Sequence, residues 1–171
     1  MSVTGTMTLP QGATPVTGVA WFDHQWGDFT VQPLTWDWFA LQLDDGSTLM
    51  LYDIRDDASA DGVIKAGTFI APDGSTTPLD ADAFTTMPTG SWTSPVSGGV
   101  YPMGWSVQVP AHGIDITIEP TIRNAEFDAT STTFNYYWEG SVAVSGSHNG
   151  RGFVELVGYA ESPLLGGTPT P

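Results

Sequence analysis

Residues 36 to 55 read WDWFALQLDDGSTLMLYDIR. Two β-rich runs, Trp36–Leu43 and Thr48–Arg55, flank Asp44-Asp45-Gly46, and an Asp-Gly step between such runs signals a hairpin. Period two puts Trp36, Trp38, Ala40 and Gln42 on one face of the first run and Asp37, Phe39, Leu41 and Leu43 on the other. Both faces are largely apolar, whereas a sheet wetted on one side alternates cleanly. The pattern suits a wall that is lined inside and covered outside by a partner domain, a terminal segment or a second subunit. The returning run brings Asp37 near Asp53 or Ile54, and Phe39 near Leu51 or Tyr52, depending on register.

The same texture extends along the chain. Further strand-like runs lie at Val3–Leu9, Pro15–Phe22, Gly62–Ile70, Tyr101–Val109, Ile114–Pro120, Phe134–Ser145 and Gly150–Ala160, with weaker ones around Ala83–Thr86 and Ser91–Thr93. Pro72-Asp73-Gly74, Ala111-His112-Gly113 and Ser147-His148-Asn149-Gly150 read as turns. Helical periodicity is missing, and a parallel sheet would need crossover helices. The expectation is an all-β antiparallel up-and-down barrel or sandwich of about 8–10 strands, with little or no helix. It forms a single domain over 1–162, followed by a flexible Gly/Pro/Thr tail over 163–171.

Composition narrows the function classes. Nineteen acidic and four basic residues give a formal charge of −15. Such a surface repels nucleic acid and anionic membranes, and with a single lysine it reads as salt-adapted or strongly acid-surfaced. The absence of cysteine removes thiolate chemistry and disulfides. No apolar run approaches the ~20 residues of a membrane-spanning helix, and the opening Met1-Ser2-Val3-Thr4 lacks the features of a signal peptide. A soluble protein of unspecified compartment is expected. There is no glycine-rich phosphate loop and no nucleophile elbow. His24, His112 and His148 are too scattered for a metal site, so neither metal nor cofactor is expected.

Three clusters carry possible chemistry. In Gly18–Gly27, GVAWFDHQWG, period two sets Phe22, His24 and Trp26 on one face and Asp23 on the other. His24 is then either a proton-transfer group flanked by aromatics or a core histidine bonded to a carbonyl. Asp37, between Trp36 and Trp38, is either one of two carboxylates brought close with Asp53 to make a proton donor, or an acid neutralised by Arg55. Glu139 and Glu155, on strands joined by a hairpin, are expected to pair with Arg123 and Arg151.

The strings GVAWFDHQWGDF, WDWFALQLDDGSTLMLYDIRD, WTSPVSGGVYPMGWSVQVP, YYWEGSVAVSG and GRGFVELVGY resemble the lipocalin-like family of carotenoid 1,2-hydratase and AttH-type proteins, which also includes Diels–Alder cyclases. Asn124-Ala125-Glu126-Phe127 departs from the relatives, which often carry Gln before the acid. The resemblance implies a lipocalin-like barrel, the carboxyl-terminal one of a tandem pair, so that a second such domain or a homodimer is an expected partner. It carries over His24 and Trp26, with Tyr52 and Asp53 as the nearest Tyr and Asp, and Asp37 or Asp56 as other carboxylates. The expected catalytic residues are His24, Asp53 and Asp37. The expected ligand-binding residues are Phe22, Trp26, Trp36, Trp38, Tyr52, Trp105, Tyr137 and Trp138. The implied ligand is a hydrophobic, polyene- or isoprenoid-like small molecule, and the implied reaction is hydration or dehydration of an alkene. Use of the pocket as a template for cyclisation, and a non-catalytic carrier or export-accessory role, are the competing expectations.

Overall fold

The computed structural model describes residues 1–23, 35–55 and 63–161. The chain divides into two compact units, Met1–Val31 and Gln32–Pro171. The first is a hairpin of β1 (Ser2–Leu9) and β2 (Gly12–Val19), in register from Ser2↔Val19 to Leu9↔Gly12. Its strand ends at Val19, short of the expected Phe22, so the facing argument for Phe22 and Asp23 has no strand to rest on. His24 and Trp26 lie outside the described residues.

The second unit is built on a curled antiparallel sheet that forms a half-barrel. Its strands are β3 (Thr35–Leu43), β4 (Thr48–Arg55), β5 (Val63–Ile70), β6 (Thr76–Leu79), β7 (Thr85–Pro88), β10 (Trp105–Val109), β11 (Ile114–Pro120), β12 (Glu126–Asp128), β13 (Tyr136–Gly146) and β14 (Gly150–Val157). The order is β6-β5-β4-β3-β14-β13-β11-β10-β7, with β12 paired to β13. Neighbours are nearly all sequential, so the sheet is up-and-down, and the pairing of β3 with β14 joins its start to its end. The two edge strands, β6 and β7, follow one another in the chain through a short 3-10 turn at Ala81–Ala83. A separate two-stranded ribbon pairs β8 (Ser91–Thr93) with β9 (Val100–Pro102).

The turns follow from one repeated device. In Asp45-Gly46-Ser47, Asp73-Gly74-Ser75 and Asp128-Ala129-Thr130, the Asp Oδ1 accepts from the backbone N–H and the hydroxyl two residues on. These local bonds compete with the ladder and reverse the chain. They also hold all three carboxyl groups below their usual range.

The expected run Tyr101–Val109 is two strands, β9 and β10, divided at Met103-Gly104. Gly104 takes φ +86°, a left-handed conformation that breaks a ladder. Two short strands, β6 and β12, carry no clear sequence signal. Alternation places Phe39, Leu41, Leu43, Leu49, Leu51, Val154 and Leu156 in the core. Trp105 and Trp138 are fully buried there, and the Phe39 ring meets Trp105 edge-on at 5.6 Å.

Candidate functional site

One rung of the sheet gathers most of the chemistry. Register pairs Glu126 with Trp138, Trp138 with Leu156, Leu156 with Asp37, Asp37 with Asp53, and Asp53 with Lys65. Directly opposed residues share a face, and Trp138 and Leu156 belong to the core. The rung therefore sets three carboxylates and one lysine on the inner face, near the end where β3 begins and β4 and β14 finish.

Asp37 is buried, with 8% of its surface exposed. The Arg55 Nη2 donates to Asp37 Oδ1 at 2.9 Å and to the Tyr159 hydroxyl at 2.8 Å, and that hydroxyl donates to Asp37 Oδ1 at 2.6 Å. Burial opposes the charge on Arg55, but the hydrogen bond and charge of Asp37, with smaller help from Tyr159 and Asp53, hold the guanidinium above its ordinary value. Burial, then the Asp37 charge and hydrogen bond, push the Tyr159 phenol well above its usual range, against the opposing pull of Arg55. Arg55 lies 5.5 Å from the Tyr159 ring centre, a cation–π distance.

Tyr159 reaches this network because β14 stops alternating. Leu156 points inward, and Tyr159 would continue outward after Val157 in a regular strand. Gly158 intervenes at φ +93°, where a side chain would be driven into Thr35, whose Cα would lie 3.0 Å from the added Cβ. Only glycine tolerates both the conformation and the approach. The turn re-aims Tyr159 onto Asp37.

Tyr159 is backed by Tyr101, ring centre to ring centre 5.6 Å. The Tyr101 hydroxyl donates to Glu126 Oε1 at 2.9 Å. Glu126 also accepts from Ser94 at 2.5 Å and from Ser97. Burial first, then Glu126, raise the Tyr101 phenol well above its usual range. Three hydroxyls thus anchor the β8–β9 ribbon to the acid of β12.

Asp53 stands differently. Its Oδ1 is buried and has no hydrogen-bond partner. Beside it, Lys65 lies with its Nζ 4.7 Å over the ring of Phe84, a buried core residue. Among the described residues no cluster of His, Asp or Glu is arranged to hold a metal.

Of the sequence-predicted residues, Asp37 and Asp53 come together as direct cross-strand neighbours, and Arg55 takes Asp37 as its ion-pair partner. Trp105 and Trp138 are fully buried in the core, and the Trp138 indole donates to the Arg123 carbonyl at 2.6 Å. Trp36, Trp38 and Tyr52 are half-buried on the opposite face of the sheet from Asp37. Tyr137 lies on that opposite face too, its ring 5.5 Å from Phe127. Phe22 is 69% exposed in the first unit. His24, Trp26 and Asp56 lie outside the described residues.

The expected bracing of Glu139 and Glu155 by Arg123 and Arg151 is replaced by another arrangement. Glu139 and Glu155 oppose each other across β13 and β14, while Arg151 sits opposite Ala143 and Gln42. Among the described residues Arg55 pairs with Asp37 at 2.9 Å, His148 Nε2 lies 3.5 Å from Asp45 Oδ2, and no ion pair joins Glu139 or Glu155 to Arg123 or Arg151. Sequence reasoning missed Tyr159, Tyr101, Lys65 and the Glu126 cage. The glycine ahead of Tyr159, at a strand end, was the available signal for the first.

A family model described as AttH-like matches residues 1–159. The crystal structure of an AttH protein from Nitrosomonas europaea is similar, at 30% identity and a TM-score of 0.82, over 94% of this chain and 50% of that one. Kievitone hydratase from Nectria haematococca is similar at 21% identity and a TM-score of 0.71, over 90% of this chain and 49% of that one. The chain thus spans about half the length of these two solved structures. No curated protein matches it.

Proposed function

Since this chain belongs to the AttH-like family, we propose that its half-barrel binds a hydrophobic, polyene- or isoprenoid-like small molecule and adds water to, or removes it from, an alkene. The name of kievitone hydratase, a protein of the same fold, supports the reaction type. The observation that carries the reading is the contrast between two adjacent carboxylates. Asp37 is committed to Arg55 and Tyr159, whereas the buried Asp53 Oδ1 has no partner. Asp53 is therefore the inner-face carboxyl group free to exchange a proton with a ligand.

In the hydration direction, the Asp53 carboxyl gives its proton to one alkene carbon. Water adds to the carbocation at the other carbon, and its surplus proton returns to the Asp53 carboxylate. Alkene and water become alcohol, with the enzyme unchanged. The Asp37–Arg55–Tyr159 network is fixed by its own hydrogen bonds, so its dipoles are already oriented beside the reacting carbon, in a setting where preorganised polar groups act strongly.

The test is incubation with a terminal isoprenoid alkene in oxygen-18 water, with label incorporation read by mass spectrometry. Asp53→Asn abolishes incorporation, while Glu139→Gln, on the exposed face, leaves it intact. Equal incorporation in the Asp53→Asn protein refutes the assignment. A bound ligand that never turns over favours a carrier.

A further inference from the structure

Lys65 is the single lysine of the sequence, and it stands directly opposite Asp53 in the β4–β5 ladder. Opposite charges in that relation ordinarily attract across the strands, their Cβ atoms about 5 Å apart. Here they form no ion pair. Lys65 rests its Nζ over Phe84, and Asp53 Oδ1 is buried without a hydrogen-bond partner. The other polar groups nearby are already engaged: Arg55 and Tyr159 with Asp37, and Tyr101 with Glu126. The inner face therefore offers one uncommitted acceptor and one uncommitted donor within a single cross-strand spacing, against a buried aromatic ring.

We propose that Lys65 and Asp53 form an oxygen-binding subsite that takes the hydroxyl of an otherwise apolar alcohol. The alcohol O–H donates to Asp53, and its oxygen accepts from the Lys65 ammonium. Other head groups fit less well. An ether or ketone only accepts and leaves Asp53 unpaired, a cost for a buried polar atom. A carboxylate has no hydrogen to give Asp53 Oδ1 and meets the charge of Asp37, and an amine meets that of Lys65. A hydrocarbon satisfies neither side. This inference rests on the functional reading above and names its ligand class: an isoprenoid alcohol, as product of hydration or substrate of dehydration. Lys65 is the residue that selects for the oxygen.

The experiment is displacement of the fluorescent probe N-phenylnaphthylamine by farnesol and by the matching hydrocarbon, farnesene, on the full chain. Wild type is expected to bind farnesol about tenfold more tightly than farnesene, the increment of a hydrogen bond to a charged group. Lys65→Met is expected to shrink that preference to about threefold or less while farnesene affinity stays the same. Lys65→Arg, which keeps a charged donor, is expected to retain most of the preference. Circular dichroism and unchanged probe binding verify that the variants fold. If wild type binds the probe and both terpenes without preference, or if the preference survives Lys65→Met, the subsite is overturned and the hydrophobic-ligand reading stands. If wild type binds none of the three, the ligand-binding reading itself is overturned and the subsite with it.

Discussion

The Arg55–Asp37 pair makes the sharpest demand on stability. Replacing Arg55 by Leu leaves a carboxylate whose side chain is only 12% exposed, with the Tyr159 hydroxyl as its remaining donor. Exposed ion pairs contribute about 0.2–1 kcal/mol, but removing one partner of a buried pair costs about 3–5 kcal/mol, because the other charge is left in poor solvent. Tyr159 still satisfies Asp37, and the Arg55 side chain is 30% exposed. Both place the cost at the low end, about 3 kcal/mol. For a chain of this size that lowers Tm by roughly 6–12 °C. Urea unfolding followed by tryptophan fluorescence, with seven indoles as reporters, measures it. Arg151→Leu, on an exposed strand position, serves as control at within about 0.5 kcal/mol. The double variant Asp37→Leu with Arg55→Leu removes the stranded charge, and should regain at least about 1 kcal/mol over Arg55→Leu alone. A loss below about 1 kcal/mol for Arg55→Leu, indistinguishable from the control, would falsify the claim that Asp37 is shielded from water.

Three other outcomes are expected. Tyr101 and Tyr159 both ionise well above the ordinary 10.0. Because the folded values are raised, their stabilising contribution is whole below about pH 10 and is lost as pH climbs through the folded values. Spectrophotometric titration should show those two of the five tyrosines silent until the protein unfolds, and Tyr159→Phe should flatten the alkaline loss of stability. Gly152→Ala drives a methyl into the Ala40 carbonyl oxygen and to 2.9 Å from Leu41 Cδ2. It should cost about 1–3 kcal/mol in urea unfolding, against under about 0.5 for Gly5→Ala, which meets nothing. Trp105 Nε1 is buried without a partner, while Trp138 Nε1 has the Arg123 carbonyl. Trp138→Phe should therefore be the more destabilising of the two Trp→Phe changes by about 1–2 kcal/mol, measured as the difference in unfolding free energy.

Much of the sheet was legible because period two and Asp-Gly turns are local signals. The hairpin of β3 and β4 lies where the sequence places it, and one of the two registers allowed beforehand, Asp37 opposite Asp53, is the one adopted. The split of β9 from β10 was hidden because Gly104 interrupts a run whose flanks both read as strand. The short strands β6 and β12 had too few residues to show a period. The site was half legible. Asp37, Asp53 and Arg55 are near one another in sequence and share a hairpin. Lys65, Tyr101, Glu126 and Tyr159 belong to other strands and meet them only across the curled sheet.

By itself, the sequence determined the all-β class, the position of most turns, the strong negative charge and the two-faced apolar character of β3. Each follows from residue type and spacing within a few positions. Which apolar face turns inward was decided only by tertiary structure, because alternation sorts residues into two sets without naming the buried one. The curl buried the set of Asp37, Phe39 and Leu41 and left Trp36 and Trp38 on the other side. The pairing of β14 with β3 then brought Tyr159, 122 residues away, to the Asp37 carboxylate. That contact depends on a left-handed glycine and on the long-range pairing of β14 with β3, and neither can be read from a stretch of chain taken alone.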